Sequence, residues 1–200
     1  MIENIFPTQI YIDNIKIEDS DNNKFLNFCK KTDFYTTNAG FNSNASINQS
    51  LLENDLFKKL KLNILSCAKK YLKNIGHIFE DLQFSNSWAT KTEPKGFSQF
   101  HCHKNSYISG TYYMEKSSML SLENFYIKQW FFSPLIKFDE KNNNTFKYIN
   151  FKPEAKSIIL FPSFLDHRVM PNESNKDRYS IAFNIIPKGE FGEETMKIYL

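Results

Sequence analysis

Three of the four histidines fall in two short segments, Phe100-His101-Cys102-His103 and Leu165-Asp166-His167. Imidazole is the commonest side chain for holding a transition metal at neutral pH. If residues 98–103 are extended, side chains alternate between faces, so His101 and His103 project together and Cys102 points away. A third ligand must come from elsewhere. His167 follows Ser157-Ile158-Ile159-Leu160-Phe161-Pro162, an apolar strand closed by a proline turn, and so stands at a strand exit. Ligands drawn from one side leave coordination positions open, which suits a catalytic metal better than a closed structural site. Imidazoles alone suit iron, zinc or copper about equally.

An HxH pair by itself is weak, because a chain with four histidines can carry it as structural or solvent-facing residues. Arg178 shifts the balance. It opens the next apolar run, Arg178-Tyr179-Ser180-Ile181-Ala182-Phe183-Asn184, just after the turn that follows His167. A guanidinium is a planar bidentate donor for a carboxylate, and Ser180, on the same strand face, adds a hydroxyl. Together they read as a clamp for a dicarboxylate. A surface salt bridge from Arg178 to Glu173 or Asp177 is the plainer reading, and the histidines make it the lesser one.

These residues need a scaffold. The 200-residue chain is 41% hydrophobic and 16% aromatic, with only 6 glycines and 7 prolines but 20 Phe and 10 Tyr. That composition argues against disorder and for one domain over 1–200 with one core. The net charge of +3 comes with scattered lysines, so no nucleic-acid stripe is evident. Cys29, Cys67 and Cys102 lie far apart, with no CxxC pair and no secretory leader before them. The expectation is therefore a soluble protein of a reducing cytoplasm rather than a disulfide framework. No apolar run approaches the roughly 20 residues that cross a bilayer.

Residues 5–12 read as a strand with Pro7 at its lead-in, followed by a short polar turn over 19–23. Residues 51–75 read as the one long helix, with Phe57, Leu60, Ile64, Ala68, Tyr71 and Ile75 at spacings of three or four. From Leu82 onward, short runs rich in Phe, Tyr, Ile and Ser are broken at Pro94-Lys95-Gly96, Lys104-Asn105, 139–144 and 172–177. The pattern predicts a mainly β fold with flanking helices: supporting elements over 1–80, packed on one sheet, and a sandwich or barrel over 82–187.

The blocks 101–113, 160–169 and 178–184, with Phe6-Pro7-Thr8 and Trp88, resemble a family of 2-oxoglutarate and Fe(II)-dependent oxygenases, an HxH variant within the prolyl-hydroxylase-like superfamily. The resemblance implies a cupin-like double-stranded β-helix, or jelly roll. It implies Fe(II) on His101, His103 and His167, and Arg178 on the distal carboxylate of 2-oxoglutarate, with Tyr113 and Ser109 in the same pocket. The co-substrates would be 2-oxoglutarate and O2, and the products succinate, CO2 and a hydroxylated C–H bond. It implies no catalytic side chain beyond the metal ligands.

One departure stands out. The wider superfamily places Asp or Glu where His103 stands, and a neutral imidazole leaves the site more positive, which strengthens zinc or nickel as rivals to iron. Two other readings remain open: a cupin-like metalloenzyme without 2-oxoglutarate, and a non-catalytic β-sandwich for binding or structure. Cupins usually add a glutamate a few residues on, where Tyr107 and Ile108 stand here. Residues 115–151, with Trp130, Phe131 and Phe132, read as an insertion near the site mouth. Cys102, His77 and the helix lysines receive no role, and the primary substrate and a homodimer are left open.

Overall fold

The computed structural model describes residues 7–124 and 148–200. Trp130, Phe131, Phe132 and Phe6 therefore lie outside the described residues. Among the described residues, ten strands build two antiparallel sheets. In chain order they are β1 (Tyr11–Asn14), β2 (Phe34–Thr36), β3 (Gly40–Ser46), β4 (Asp81–Ser98), β5 (Ile108–Tyr112), β6 (Leu120–Glu123), β7 (Tyr148–Phe151), β8 (Ser157–Pro162), β9 (His167–Val169) and β10 (Arg178–Lys188). The major sheet runs β1-β8-β5-β10-β4-β3-β2 and the minor sheet β7-β6-β9. A C-terminal hairpin of β11 (Glu190–Phe191) and β12 (Ile198–Tyr199) follows.

Strand alternation divides the major sheet cleanly. On β8, Ile158 and Leu160 face one hydrophobic cluster, and Ile159 and Phe161 face the other. The second cluster adds Leu120, Leu122 and Leu165, so it lies between the two sheets of the jelly roll. The first joins Ile108, Tyr112, Ile181, Phe183 and Ile185 to helices α1 (Asp19–Lys30) and α2 (Lys58–Asn74) on the outer face. Gly110 of β5 allows this approach, because a Cβ there would meet Leu160 and Phe183 side-chain carbons at 2.6 and 2.7 Å. No helix among the described residues is long and apolar enough to cross a membrane.

Several local expectations need correction. The polar stretch at 19–23 is not a turn but the start of α1. Its Asp- and Asn-rich sequence has low helix propensity, yet Asn22, Phe25 and Cys29 recur on one buried face, and Phe25 and Phe28 pack on Phe57 with ring centroids 5.1 and 5.3 Å apart. Tertiary packing overrides propensity there. The helix expected over 51–75 is shorter, because Leu51–Glu53 and Asp55–Phe57 are 3₁₀ turns, and Asn54, with extended backbone, accepts the Leu56 N–H through its side chain at 3.0 Å. Its end is set by Gly76, whose φ of +85° provides the left-handed cap. The expected strand at 5–12 is observed at Tyr11–Asn14.

Pro94-Lys95-Gly96 does not end a strand; β4 continues through it as a bulge. Phe97 pairs with Phe41 and Thr92 with Ser43, so four residues of β4 oppose Asn42 alone. Lys95 takes φ +65°, and a Cβ on Gly96 would collide with the Asn42 carbonyl. The bulge has a consequence for the site: Lys95 N–H donates to Asn172 O and Asn172 N–H to Gly96 O, both at 2.8 Å, which pins the loop that delivers Arg178.

Candidate metal centre

The extended segment expected over 98–103 ends at Ser98, and His101 makes only an isolated bridge. That bridge is with His167: His101 N–H donates to His167 O at 3.0 Å, and His167 N–H to His101 O at 2.9 Å. His103 is fixed separately, its N–H donating to Ser163 O at 2.8 Å. The three imidazoles converge even though no regular strand holds the HxH pair. Ring centroids lie 5.2 Å apart for His101 and His103, 4.4 Å for His101 and His167, and 5.2 Å for His103 and His167. One nitrogen from each ring lies within 4.8 Å of the others.

The backbone also sets which nitrogens are available. His101 Nδ1 lies 2.8 Å from Gln99 O, and His167 Nδ1 lies 3.0 Å from Leu165 O. A carbonyl only accepts, so Nδ1 carries the proton and Nε2 keeps its lone pair for a metal. Burial, reinforced by the neighbouring imidazoles, lowers His103 to about 4 and His167 to about 3. Both are neutral at pH 7, the state that metal ligation requires.

The three histidines share one cavity of about 320 Å³ with Arg178, Ser180, Tyr113, Ser109, Trp88, Phe161 and Asn184. This volume sits at the small end of small-molecule sites, roughly 300–1,000 Å³. Arg178 is 6% exposed. Its Nη2 donates to Thr92 Oγ1 at 2.6 Å, while Nε and Nη1 are buried without a partner among the described residues. The salt bridge considered for Arg178 is absent among the described residues; Asp177 instead meets Lys91 at 3.3 Å. Buried cationic N–H groups without acceptors are costly, so the cavity is incomplete without an anion. A carboxylate would supply the acceptors that these N–H groups lack.

Ser180 shares the Arg178 face, its Oγ 2.6 Å from Thr90 Oγ1. Tyr113 follows β5 directly and is buried; burial pushes its phenol up to about 12, against the opposing pull of the Arg178 charge, so it is a neutral hydroxyl at pH 7. Ser109 lines the cavity with its hydroxyl 2.7 Å from Asn184 Oδ1.

Sequence reading missed Thr92, Thr90, Asn86 and Asn184. The signal was the alternation of Asn86, Trp88, Thr90 and Thr92. These stand directly opposite Asn184, Ala182, Ser180 and Arg178, which places each pair on the cavity face.

Residues 86–184 match the family model described as "Putative 2OG-Fe(II) oxygenase". No curated protein matches the chain. Among solved structures, the chain resembles HygX from Streptomyces hygroscopicus, solved with nickel and 2-oxoglutarate bound, at 10% identity and a TM-score of 0.62, covering 90% of this chain and 83% of that one. A Pseudomonas putida prolyl-4-hydroxylase gives 10% identity and 0.64, covering 91% and 94%. The non-haem α-ketoglutarate-dependent epimerase SnoN from nogalamycin biosynthesis gives 10% and 0.66, covering 93% and 79%. At such identities the likeness establishes the double-stranded β-helix and nothing finer.

Proposed function

Residues 86–184 belong to the 2OG-Fe(II) oxygenase family, and from that premise we propose that His101, His103 and His167 bind Fe(II) while Arg178 anchors 2-oxoglutarate in the same cavity. The chain is then a non-haem Fe(II) and 2-oxoglutarate-dependent oxygenase that hydroxylates a C–H bond. When bound, iron and 2-oxoglutarate supply the chemistry: 2-oxoglutarate, O2 and R–H become succinate, CO2 and R–OH, with decarboxylation providing the electrons.

The protein's part is placement. Carbonyls of Gln99 and Leu165 hold two imidazoles with Nε2 toward the ion. Thr92 steadies the guanidinium, whose unpartnered N–H groups would receive the distal carboxylate, and Ser180, Tyr113 and Ser109 complete the polar wall. Phe161, Leu120 and Val169 form the apolar side of the cavity, limiting water around the reacting centre. With three neutral ligands, the dianionic co-substrate balances the ion's charge, and Arg178 balances one end of the dianion. A reducing cytoplasm, where Fe(II) and 2-oxoglutarate are both at hand, is the location this reading fits.

The observation that carries the reading is the pair of unpartnered buried Arg178 donors in a cavity shared with three converging imidazoles. The test is slow succinate release from 2-oxoglutarate in air, without added substrate. Succinate should form only with Fe(II) present and stop on chelation. A protein that binds iron stoichiometrically but never releases succinate, with or without a broad set of C–H substrates, would refute it.

A further inference from the structure

We propose that Asn86, Asn184, Ser109 and Ser163 form a buried relay that positions His103 at the metal centre, a role resting on the histidine assignment above. His103 differs from its two companions. His101 and His167 are locked by a reciprocal backbone bridge and by Nδ1 contacts to carbonyls, whereas no hydrogen bond reaches the His103 ring among the described residues. Its ring has Trp88 beside it, centroid to centroid 6.0 Å, and the other imidazoles. Its placement depends on its backbone, and the N–H of His103 is held by Ser163 O at 2.8 Å.

Ser163 follows β8 and is 1% exposed. Its N–H donates to Tyr107 O at 3.1 Å, so this one residue grips both ends of the 103–107 loop. Its side chain is tied across three adjacent strands. Ser163 Oγ lies 2.9 Å from Ser109 Oγ on β5, Ser109 Oγ donates to Asn184 Oδ1 on β10 at 2.7 Å, and Asn184 Nδ2 donates to Asn86 Oδ1 on β4 at 2.8 Å. Ser109 Oγ is the donor toward both Ser163 Oγ and Asn184 Oδ1, so its single proton is shared between the two links.

Among the described residues no buried polar side-chain atom of the four lacks a partner, the condition under which a buried polar network rigidifies its surroundings rather than weakening them. Ser109 and Asn184 are each 2% exposed, so water does not readily replace a lost link. An apolar residue would fill the same sheet face without needing partners. The polar residues span from the rigid centre of the major sheet to the one ligand that lacks its own side-chain anchor. Asn86, Asn184 and Ser109 act through Ser163, and all four are positioning residues.

Co2+ alone is the probe, titrated into the full chain without co-substrate, because its visible d–d bands report ligand number and geometry. Ser109→Ala and Ser163→Ala each cut the chain, and each should weaken Co2+ binding by roughly 10-fold to 100-fold, the usual range for partners outside the ligand shell. Both should also shift the d–d bands, and Ser163→Thr, which keeps the hydroxyl, should restore the unmodified spectrum. Should Ser163→Ala fail to fold, Ser109→Ala carries the test. Affinities within twofold and superimposable spectra for folded variants would overturn the relay while leaving the metal site intact. Absence of Co2+ binding by the unmodified chain would overturn the metal assignment itself, and the relay with it.

Discussion

Arg178→Met is expected to leave the fold intact and remove 2-oxoglutarate dependence almost completely. The guanidinium is 6% exposed, with one nitrogen on Thr92 and two buried without partners among the described residues. A charged, hydrogen-bonded contact in such a place is worth roughly 2–5 kcal/mol when one side is removed, or about 30-fold to several thousandfold in affinity. The metal-loaded protein should lose 2-oxoglutarate affinity on that scale while Fe(II) affinity stays unchanged. The apo variant should be no less stable, since Met removes donors that the empty cavity leaves unsatisfied. Thr92→Val is the graded companion: it keeps the charge, removes one orienting oxygen and should cost about tenfold. Isothermal titration of 2-oxoglutarate into metal-loaded variants, beside thermal melts of the apo forms, checks each part. Unchanged co-substrate affinity in Arg178→Met would remove the clamp from the account.

His167→Ala should abolish stoichiometric metal. His167 supplies one of three nitrogens within 4.8 Å of one another and is the most deeply buried of the three. Losing a partner outside the ligand shell already costs 10-fold to 100-fold in affinity, so losing a ligand should exceed about 100-fold. Some stability goes as well, because the Leu165 carbonyl loses its Nδ1 partner and the Phe161 ring loses a neighbour at 4.7 Å. His77→Ala is the matched control. His77 Nδ1 sits 2.8 Å from the Tyr107 hydroxyl, outside the cavity that the other histidines line. It should bind Fe(II) like the unmodified protein. Metal analysis after anaerobic loading and desalting separates the two variants, and equal iron in both would contradict the assignment of His167.

Much of this candidate site was legible in the chain because the proposed chemistry rests on rare residue types at short spacing. Four histidines, three of them in two short segments, and one arginine opening an apolar run need no register to be noticed. The jelly roll was legible for a related reason: successive Phe, Tyr and Ile runs alternate faces, and a β-strand has only two faces to choose between. The residues that support the site were not legible, because their roles depend on pairing. Thr92 matters only since β4 and β10 bring it opposite Arg178, and nothing local to Thr92 announces that. Ser163 likewise gains its role from a loop 60 residues earlier in the chain. The bulge at Pro94-Lys95-Gly96 misled in the opposite direction. Turn-forming residues mark a departure from regular backbone, and whether the strand resumes afterwards is decided by its neighbours. Helix α1 was hidden by a polar sequence whose few apolar residues, Phe25, Leu26, Phe28 and Cys29, are sufficient because they pack into the core with Phe57.

The proposed reaction requires one ion and one diacid in a single small cavity, the first held by imidazoles and the second by a guanidinium. The most direct measurement is the visible spectrum of the unmodified protein, kept free of oxygen, as 2-oxoglutarate is titrated into the Fe(II)-loaded form. The predicted result is a weak charge-transfer band that saturates at one 2-oxoglutarate per iron and is missing from His167→Ala. Iron bound one to one in a protein that shows no such band at any 2-oxoglutarate concentration would contradict it.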